Sequence, residues 1–208
     1  MLKPRIAVLV SGGGTNLAAL IKAQKSGLLK SGEIALVISS KPGVGAIERA
    51  KEANIPFAVA DRTQYPSSEA FEAEILHLLL QNRINLIILA GFMQILSAGF
   101  VAHYHDRIIN VHPSLIPAYC GKGFYGKKVH EAVLAAGERT TGATVHIVNE
   151  IPDGGQILMQ KTVVVLPSDT PETLQKRVME EAEWQLLPTA AEYVCAKLQR
   201  TLNEGEEL

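Results

Sequence analysis

Apolar and polar positions follow two rhythms along this chain. Short blocks rich in Ile, Val and Leu occupy residues 5–10, 34–39, 57–59 and 86–90. They are short and almost wholly apolar, which predicts strands, and residues 86–90 are as apolar as a strand covered on both faces should be. Between them apolar residues recur every three or four positions. Residues 16–25 put Leu17, Leu20 and Ile21 on one side, residues 44–53 form a second such stretch, and residues 67–82 align Phe71, Ile75, Leu78 and Leu79. These are helices. Strands separated by helices of this length pair in parallel through right-handed crossovers. The expected fold is α/β, a doubly wound, mostly parallel sheet with a Rossmann-like N-terminal half. Ligands of such sheets sit beyond the carboxyl ends of the strands.

The second half changes rhythm. Residues 107–111 read as a strand running into His112-Pro113-Ser114-Leu115-Ile116-Pro117, where two prolines forbid a helix. A glycine-rich segment, 121–126, precedes a helix over 128–136. Residues 141–149 and 156–165 read as strands joined by Glu150-Ile151-Pro152-Asp153-Gly154-Gly155, an antiparallel extension of the sheet. Asp169-Thr170-Pro171-Glu172 opens a last long helix, capped by Thr170 or Asp169. It is expected to run to about Leu187 and to kink or restart at Pro188. Residues 1–200 are expected to form one domain, and 201–208 a mobile acidic tail.

Composition narrows the class. A globule of 208 residues, 47% of them hydrophobic, buries roughly 70–75% of its unfolded surface and needs no covalent staples. Cys120 and Cys195 form no CxxC pair, which excludes a disulfide scaffold and a structural zinc knot. The formal net charge of -1 lacks the basic footprint of a nucleic-acid binder. The apolar run 6–10 is too short to span a membrane and has no cleavage site after it. The expectation is a cytoplasmic protein with neither nucleic acid nor membrane as partner.

Two glycine-rich loops invite a phosphate reading. Ser11-Gly12-Gly13-Gly14-Thr15-Asn16-Leu17 stands between the first strand and the first helix. Glycine lets a ligand approach the amides, and a helix N-terminus offers unpaired N–H groups with partial positive charge. The dinucleotide fingerprint fails, because GxGxxG from Gly12 needs glycine where Leu17 stands, and the second strand ends in Ser39-Ser40-Lys41 rather than an acid. Three glycines with Thr15 and Asn16 exceed what a bare turn requires, so the loop reads as an anion cradle. Residues 121–128 match GxxxxGK but follow no strand and carry Lys128 where a magnesium-binding hydroxyl belongs. They read as a mobile loop beside the site with solvated lysines.

Asn110-Val111-His112-Pro113-Ser114 carries the sharpest chemistry. Two positions apart on a strand, Asn110 and His112 point to one face. An amide and a protonated imidazole together stabilise an oxyanion developing at a carbonyl carbon. Asp153 is the candidate third member. An Asp-Gly turn is common in itself, so only proximity to His112 gives this carboxylate a role in favouring the imidazolium and relaying protons. Thr144 and His146 alternate onto one face of the sixth strand, where they are expected to hold an ordered water. His103, His105 and Asp106 have metal-like spacing but read as a solvated turn, and no metal is expected. His130 is a candidate pocket residue. No GxSxG occurs, which disfavours a serine hydrolase.

Three segments together carry a resemblance. They are residues 11–17, then 89–97, then 110–117 followed by Thr141-Gly142-Ala143-Thr144-Val145-His146 and Asp153-Gly154-Gly155. They resemble the glycinamide ribonucleotide formyltransferase family of purine synthesis, over about residues 5–188 and in order. The Asn-x-His-Pro-Ser-Leu-x-Pro motif is shared by other 10-formyltetrahydrofolate enzymes, and the first loop narrows it to this family or the formyltetrahydrofolate hydrolases. The resemblance implies that Gly12, Gly13, Gly14, Thr15 and Asn16 bind the substrate phosphate and Glu183 the ribose hydroxyls. It implies Asn110, His112 and Asp153 as the catalytic triad, with Thr144 and His146 behind them. Met93, Gln94, Ile95, Leu96, Val101, Ile151, Pro152 and Gly154 would border the pterin pocket. It further implies 10-formyltetrahydrofolate as co-substrate, no metal, a monomer or homodimer, and a cis Ile116–Pro117 bond.

The chain also departs from the family. Ser68 precedes Glu69-Ala70-Phe71 where members usually carry an arginine that helps bind phosphate, so phosphate binding falls to the first loop or a nearby lysine. Gln94 stands where many relatives have arginine, and residues 119–128 depart from the usual proline-glycine-histidine form. Residues 178–183 are one residue longer than usual, which leaves Glu180 and Glu181 beside Glu183 as contenders. The implied reaction is attack of the glycinamide amine on the formyl carbon. The alternatives are hydrolysis of the same folate and a non-catalytic phosphate-binding module. The hydrolase usually carries an N-terminal regulatory domain, whereas this chain begins at its first strand. A methionyl-tRNA formyltransferase would need a C-terminal RNA-binding domain and a basic face.

Overall fold

The structure, a computed structural model, describes residues 2–205. Seven strands form one sheet: β1 (Arg5–Val10), β2 (Glu33–Ser39), β3 (Phe57–Val59), β4 (Leu86–Leu89), β5 (Ile108–His112), β6 (Thr140–Ile147) and β7 (Ile157–Val164). Their order is β3–β2–β1–β4–β5–β6–β7. β1 to β5 are parallel, and β6 and β7 add the antiparallel extension. Helices α1 (Thr15–Ser26), α2 (Gly45–Glu52), α3 (Ser68–Gln81), α4 (Ala98–His103), α5 (Lys127–Ala135), α6 (Pro171–Val178) and α7 (Trp184–Glu204) cover the sheet.

The apolar strand blocks are divided by side-chain alternation between two cores. Ile6, Val8 and Val10 of β1 and Leu86 and Ile88 of β4 join Leu17 and Leu20 of α1 and Leu187 and Ala191 of α7. Ala7, Leu9, Ile87 and Leu89 face the other way, against Phe71, Ile75 and Leu79 of α3 and Phe100 of α4. Each fully buried Leu, Ile or Phe contributes roughly 1.5–3 kcal/mol, so a helix on each face is what lets these strands be apolar throughout. Strand order reverses at β1. The loops after β1 and β4 therefore diverge and leave a crevice at the carboxyl edge.

Short elements escape the periodicity. α4 has six residues, too few to display a helical stripe. It is fixed by chemistry: the Ser97 hydroxyl accepts from Phe100 N–H, and the buried Glu72 carboxylate accepts from the Ser97 amide and hydroxyl, tying α3 to the start of α4. His103 closes α4 and its ring donates to the Gly99 carbonyl, while exposed His105 faces Asp106.

The C-terminal helix differs from expectation. It is interrupted at a π-turn over Met179–Glu183, not at Pro188, which lies inside α7. Pro188 cannot pair with the Trp184 carbonyl, and its ring would crowd that carbonyl in a regular helix. Trp184 has ψ −9, which swings its carbonyl away, so the irregularity is met before the proline. α7 continues to Glu204, so residues 201–204 of the expected tail are helical, and residues 206–208 lie outside the described residues.

His130 of α5 does not line a pocket. It is fully buried, and neither ring nitrogen has a partner. Burial, aided by the nearby His112 charge, lowers its pKa to about 4. The unfolded chain then binds the extra proton between about pH 4 and 6.5, so His130 subtracts stability as pH falls through that window, by roughly 3 kcal/mol in full. Replacing both orphaned nitrogens by apolar atoms removes this penalty. Urea denaturation of His130→Leu is expected to match or exceed wild-type stability at pH 7 and to lead it increasingly towards pH 4. A variant that loses stability in parallel with wild type over this range contradicts the assignment.

Candidate active site

The crevice between the diverging loops is a cavity of about 1010 Å³. Its rim is fastened at the switch point. The Ser11 hydroxyl accepts from Met93 N–H at 2.9 Å and meets the Ser40 hydroxyl at 2.6 Å, so the loops after β1, β2 and β4 are joined through one side chain.

The glycine loop forms one wall. Gly14 has φ 72, and a Cβ there would lie 2.7 Å from the Ala46 backbone, so only glycine lets α2 pack this close. Arg49 Nε donates to the Gly13 carbonyl at 2.9 Å from behind the loop. No side chain caps α1. Its first amides therefore face the cavity with the helix's positive end, beside exposed Lys41.

Asn16 links this wall to the far helix, donating from Nδ2 to Glu183 Oε2 at 2.7 Å. The π-turn explains why Glu183, rather than Glu180 or Glu181, arrives there. Trp184 N–H reaches back to the Met179 carbonyl, a ring holding one residue more than an α-helical turn, as a segment with one residue more than usual would need. Glu180 and Glu181 remain on the exterior, and Glu183 is buried against the cavity. Burial pushes its carboxyl up to about 7 although the Asn16 hydrogen bond opposes this.

Asn110 and His112 share one face of β5, opposite His146 and Thr144 of β6. Asp153 arrives from the β6–β7 connection. There Gly154 N–H bonds the Ile151 carbonyl at 2.9 Å, Pro152 takes the second position of the turn, and Asp153 takes the third with φ 55. Glycine is the usual residue at such a position, so the carboxylate stands there at a conformational cost. Its Oδ2 lies 3.5 Å from His112 Nδ1 and its Oδ1 lies 3.5 Å from both His146 Nε2 and Asn110 Nδ2. The three expected residues therefore converge, with His146 in direct contact.

Proton positions follow from the partners. Ile147's carbonyl lies 2.8 Å from His146 Nδ1 and can only accept, so Nδ1 carries the hydrogen and Nε2 accepts from Asn110 Nδ2 at 3.2 Å. Likewise His112 Nε2 donates to the Tyr119 carbonyl at 2.9 Å. Burial lowers the His112 pKa more than the Asp153 carboxylate and the Tyr119 carbonyl raise it. Burial thus favours the neutral ring in the unliganded site. Burial pushes the Asp153 carboxyl upward, but the facing His146 and His112 imidazoles and the Gly121 amide outweigh it and keep its pKa below the usual carboxylate value.

Not every expected residue belongs here. Met93 to Leu96 and Ile151 to Pro152 line the cavity from opposite sides, whereas Val101 is buried in the α3–α4 core and Gly154 lies behind Ile151. Thr144 has no capacity left for a water. Its hydroxyl donates to the Ser114 carbonyl and accepts from Ile116 N–H and Gln160 Nε2, so it pins the proline segment, where Ile116–Pro117 is cis. Two contacts escaped sequence reading because they are backbone groups, the Tyr119 carbonyl on His112 and the Gly121 amide on Asp153. Among the described residues no cluster of three or more His, Cys, Asp or Glu could hold a metal ion, and no helix is long and apolar enough to cross a membrane.

Residues 4–191 match the Formyl transferase family. The chain is 36% identical over 207 residues to the chloroplastic phosphoribosylglycinamide formyltransferase of Arabidopsis thaliana, covering 99% of this chain and 70% of that one. It is 44% identical over 194 residues to the trifunctional purine biosynthetic protein adenosine-3 of Gallus gallus, covering 93% of this chain but 19% of that protein. The chain thus spans less than a fifth of the length of such trifunctional relatives. The crystal structure of glycinamide ribonucleotide transformylase 1 from Symbiobacterium toebii superposes with a TM-score of 0.88 at 34% identity, covering 94% of this chain and 89% of that one.

Glu183 makes the site measurable through stability. Its folded pKa of about 7 exceeds the ordinary 4.5, so its contribution is complete below pH 4.5 and is lost as pH rises through 7, by up to about 3 kcal/mol. Glu183→Gln keeps an acceptor for Asn16 without the buried charge. Chemical denaturation is expected to find it more stable than wild type at pH 8 and equal at pH 4.5. Lower stability at pH 8 would mean that the carboxylate is not held in a dry site.

Proposed function

The chain belongs to the formyl transferase family, and on that footing we propose that it transfers the formyl group of 10-formyltetrahydrofolate to the amine of glycinamide ribonucleotide, a step of purine biosynthesis. One observation carries this reading. Asp153 lies 3.5 Å from both Asn110 and His112 on a wall of the same cavity that the uncapped glycine loop enters from the other side. An anion held by the loop and a carbonyl beside the trio can then be parts of one reaction.

The substrate phosphate rests on the amides of Gly12, Gly13, Gly14 and Thr15 with Lys41 alongside, and Asn16 and Glu183 take the ribose hydroxyls. The folate lies between Met93, Gln94, Ile95 and Leu96 on one side and Ile151 and Pro152 on the other. Met93, Ile95 and Ile151 are at least half exposed, an apolar rim that a flat ring system would cover.

The amine nitrogen attacks the formyl carbon, and the carbonyl oxygen becomes an oxyanion. Asn110 turns one amide hydrogen from its long contact with Asp153 to that oxygen. His112 accepts the amine's proton at Nδ1. The imidazolium so formed lies between Asp153 and the Tyr119 carbonyl, two acceptors that stabilise it, and helps hold the oxyanion. When the carbon–N10 bond breaks, His112 returns the proton to N10, leaving tetrahydrofolate and the formylated amine. No covalent enzyme intermediate forms.

Turnover is tested by mixing the protein with glycinamide ribonucleotide and 10-formyltetrahydrofolate and following deformylated folate. Release is expected only when the ribonucleotide is present. Release without it makes the protein a hydrolase, and no release makes it a binder. Asn110→Ala is expected to lower kcat by about 10²–10³ with little change in KM, the usual cost of one oxyanion donor. Unchanged turnover removes Asn110 from the chemistry.

A further inference from the structure

The chemistry assigned to His112 and Asp153 depends on a three-residue stretch whose side chains do not touch either of them by hydrogen bond. The Tyr119 carbonyl accepts from His112 Nε2 at 2.9 Å, and two residues on the Gly121 amide donates to Asp153 Oδ2 at 2.8 Å. Both groups are aimed by left-handed backbone, φ 52 at Tyr119 and φ 83 at Gly121. That region is costly for a residue with a Cβ. Tyr119 is held in it by its side chain. Its hydroxyl donates to Glu138 at 2.8 Å, and its ring meets Phe124 edge-on at 6.1 Å. The Ser114 hydroxyl donates to the Ala118 carbonyl at 2.6 Å and fixes the approach.

These contacts decide more than position. Imidazole has two neutral tautomers, and a carbonyl facing Nε2 selects the one with hydrogen on Nε2. Nδ1 is left bare, 3.5 Å from Asp153 Oδ2. Two acceptors so placed would repel at closer range. The Gly121 amide supplies Oδ2 with a donor of its own, so the gap stays open for a proton brought by a third party. Without the Tyr119 carbonyl the ring would take the other tautomer, hydrogen on Nδ1 and bonded to Asp153, and could not accept a proton there.

We propose that the Tyr119-Cys120-Gly121 backbone is the positioning element of this site: it fixes the tautomer of His112 and the orientation of Asp153 through the left-handed conformations of Tyr119 and Gly121. The kinetic consequence rests on the formyl-transfer reading; the tautomer does not.

Gly121 gives a clean test, because a Cβ added there would meet nothing within 4 Å. Substitution alters backbone preference rather than packing. Asparagine enters the left-handed region more readily than alanine although it is larger. Turnover is expected to fall in the order wild type, Gly121→Asn, Gly121→Ala, with the alanine variant down by about tenfold or more and KM for both substrates within about threefold. In protein labelled with ¹⁵N-histidine, the wild-type His112 ring at pH 8 is expected to carry its hydrogen on Nε2, and Gly121→Ala to show both tautomers. Alanine turning over as fast as asparagine or wild type overturns the proposal, as does a wild-type ring with its hydrogen on Nδ1. Should the alanine variant fail to fold, the wild-type spectrum and the asparagine variant still decide. A wild-type protein inactive in transfer would remove the proposed function while leaving the nitrogen spectrum as the test of this one.

Discussion

A buried imidazole faces a half-buried carboxylate across 3.5 Å, and each also bonds a backbone group. That meeting is the constraint around which the molecule is arranged. Burial makes the imidazole reluctant to ionise, yet its only polar neighbours on both nitrogens are acceptors, which suit the ionised form. The ring is therefore neutral at rest and stabilised once it receives a proton. A base of this kind needs a fixed tautomer, a fixed carboxylate and restricted access to water.

The fold supplies these from distant parts of the chain. Strand pairing of β5 with β6 puts Asn110 opposite His146 and His112 opposite Thr144. The β6–β7 turn brings Asp153 to the same place at the cost of a left-handed aspartate. Thr144 buttons the proline segment to the sheet, which in turn aims the Tyr119 carbonyl. The reversal of strand order at β1 places the glycine loop across the crevice, so that an anion site and a proton-transfer site share one cavity.

Much of this was legible in the residues. β1, β2 and β4 declared themselves because both faces of the sheet are covered there, leaving nearly unbroken apolar runs, and the half-exposed edge strand β3 is still found where residues 57–59 placed it. Asn110 and His112 were legible because strand alternation fixes their common face. What escaped depends on tertiary partners. α4 is too short for a stripe, and its cap is held by Glu72 from another helix. Thr144 looked free to hold water because its three hydroxyl partners lie 16, 28 and 30 residues away. The extra residue in 178–183 blurred the choice among three glutamates, since a sequence does not say that a π-turn will take up the slack. The Tyr119 and Gly121 contacts have no side-chain signature at all.

A crystal structure of the protein with glycinamide ribonucleotide and a non-transferable 10-acyl folate analogue tests the central claim most directly. The account places the phosphate on the amides of residues 12–15 and the amine nitrogen between the acyl carbon and His112 Nδ1, with the acyl oxygen against the Asn110 amide. An amine bound away from His112, or a phosphate seated elsewhere in the cavity, would contradict it.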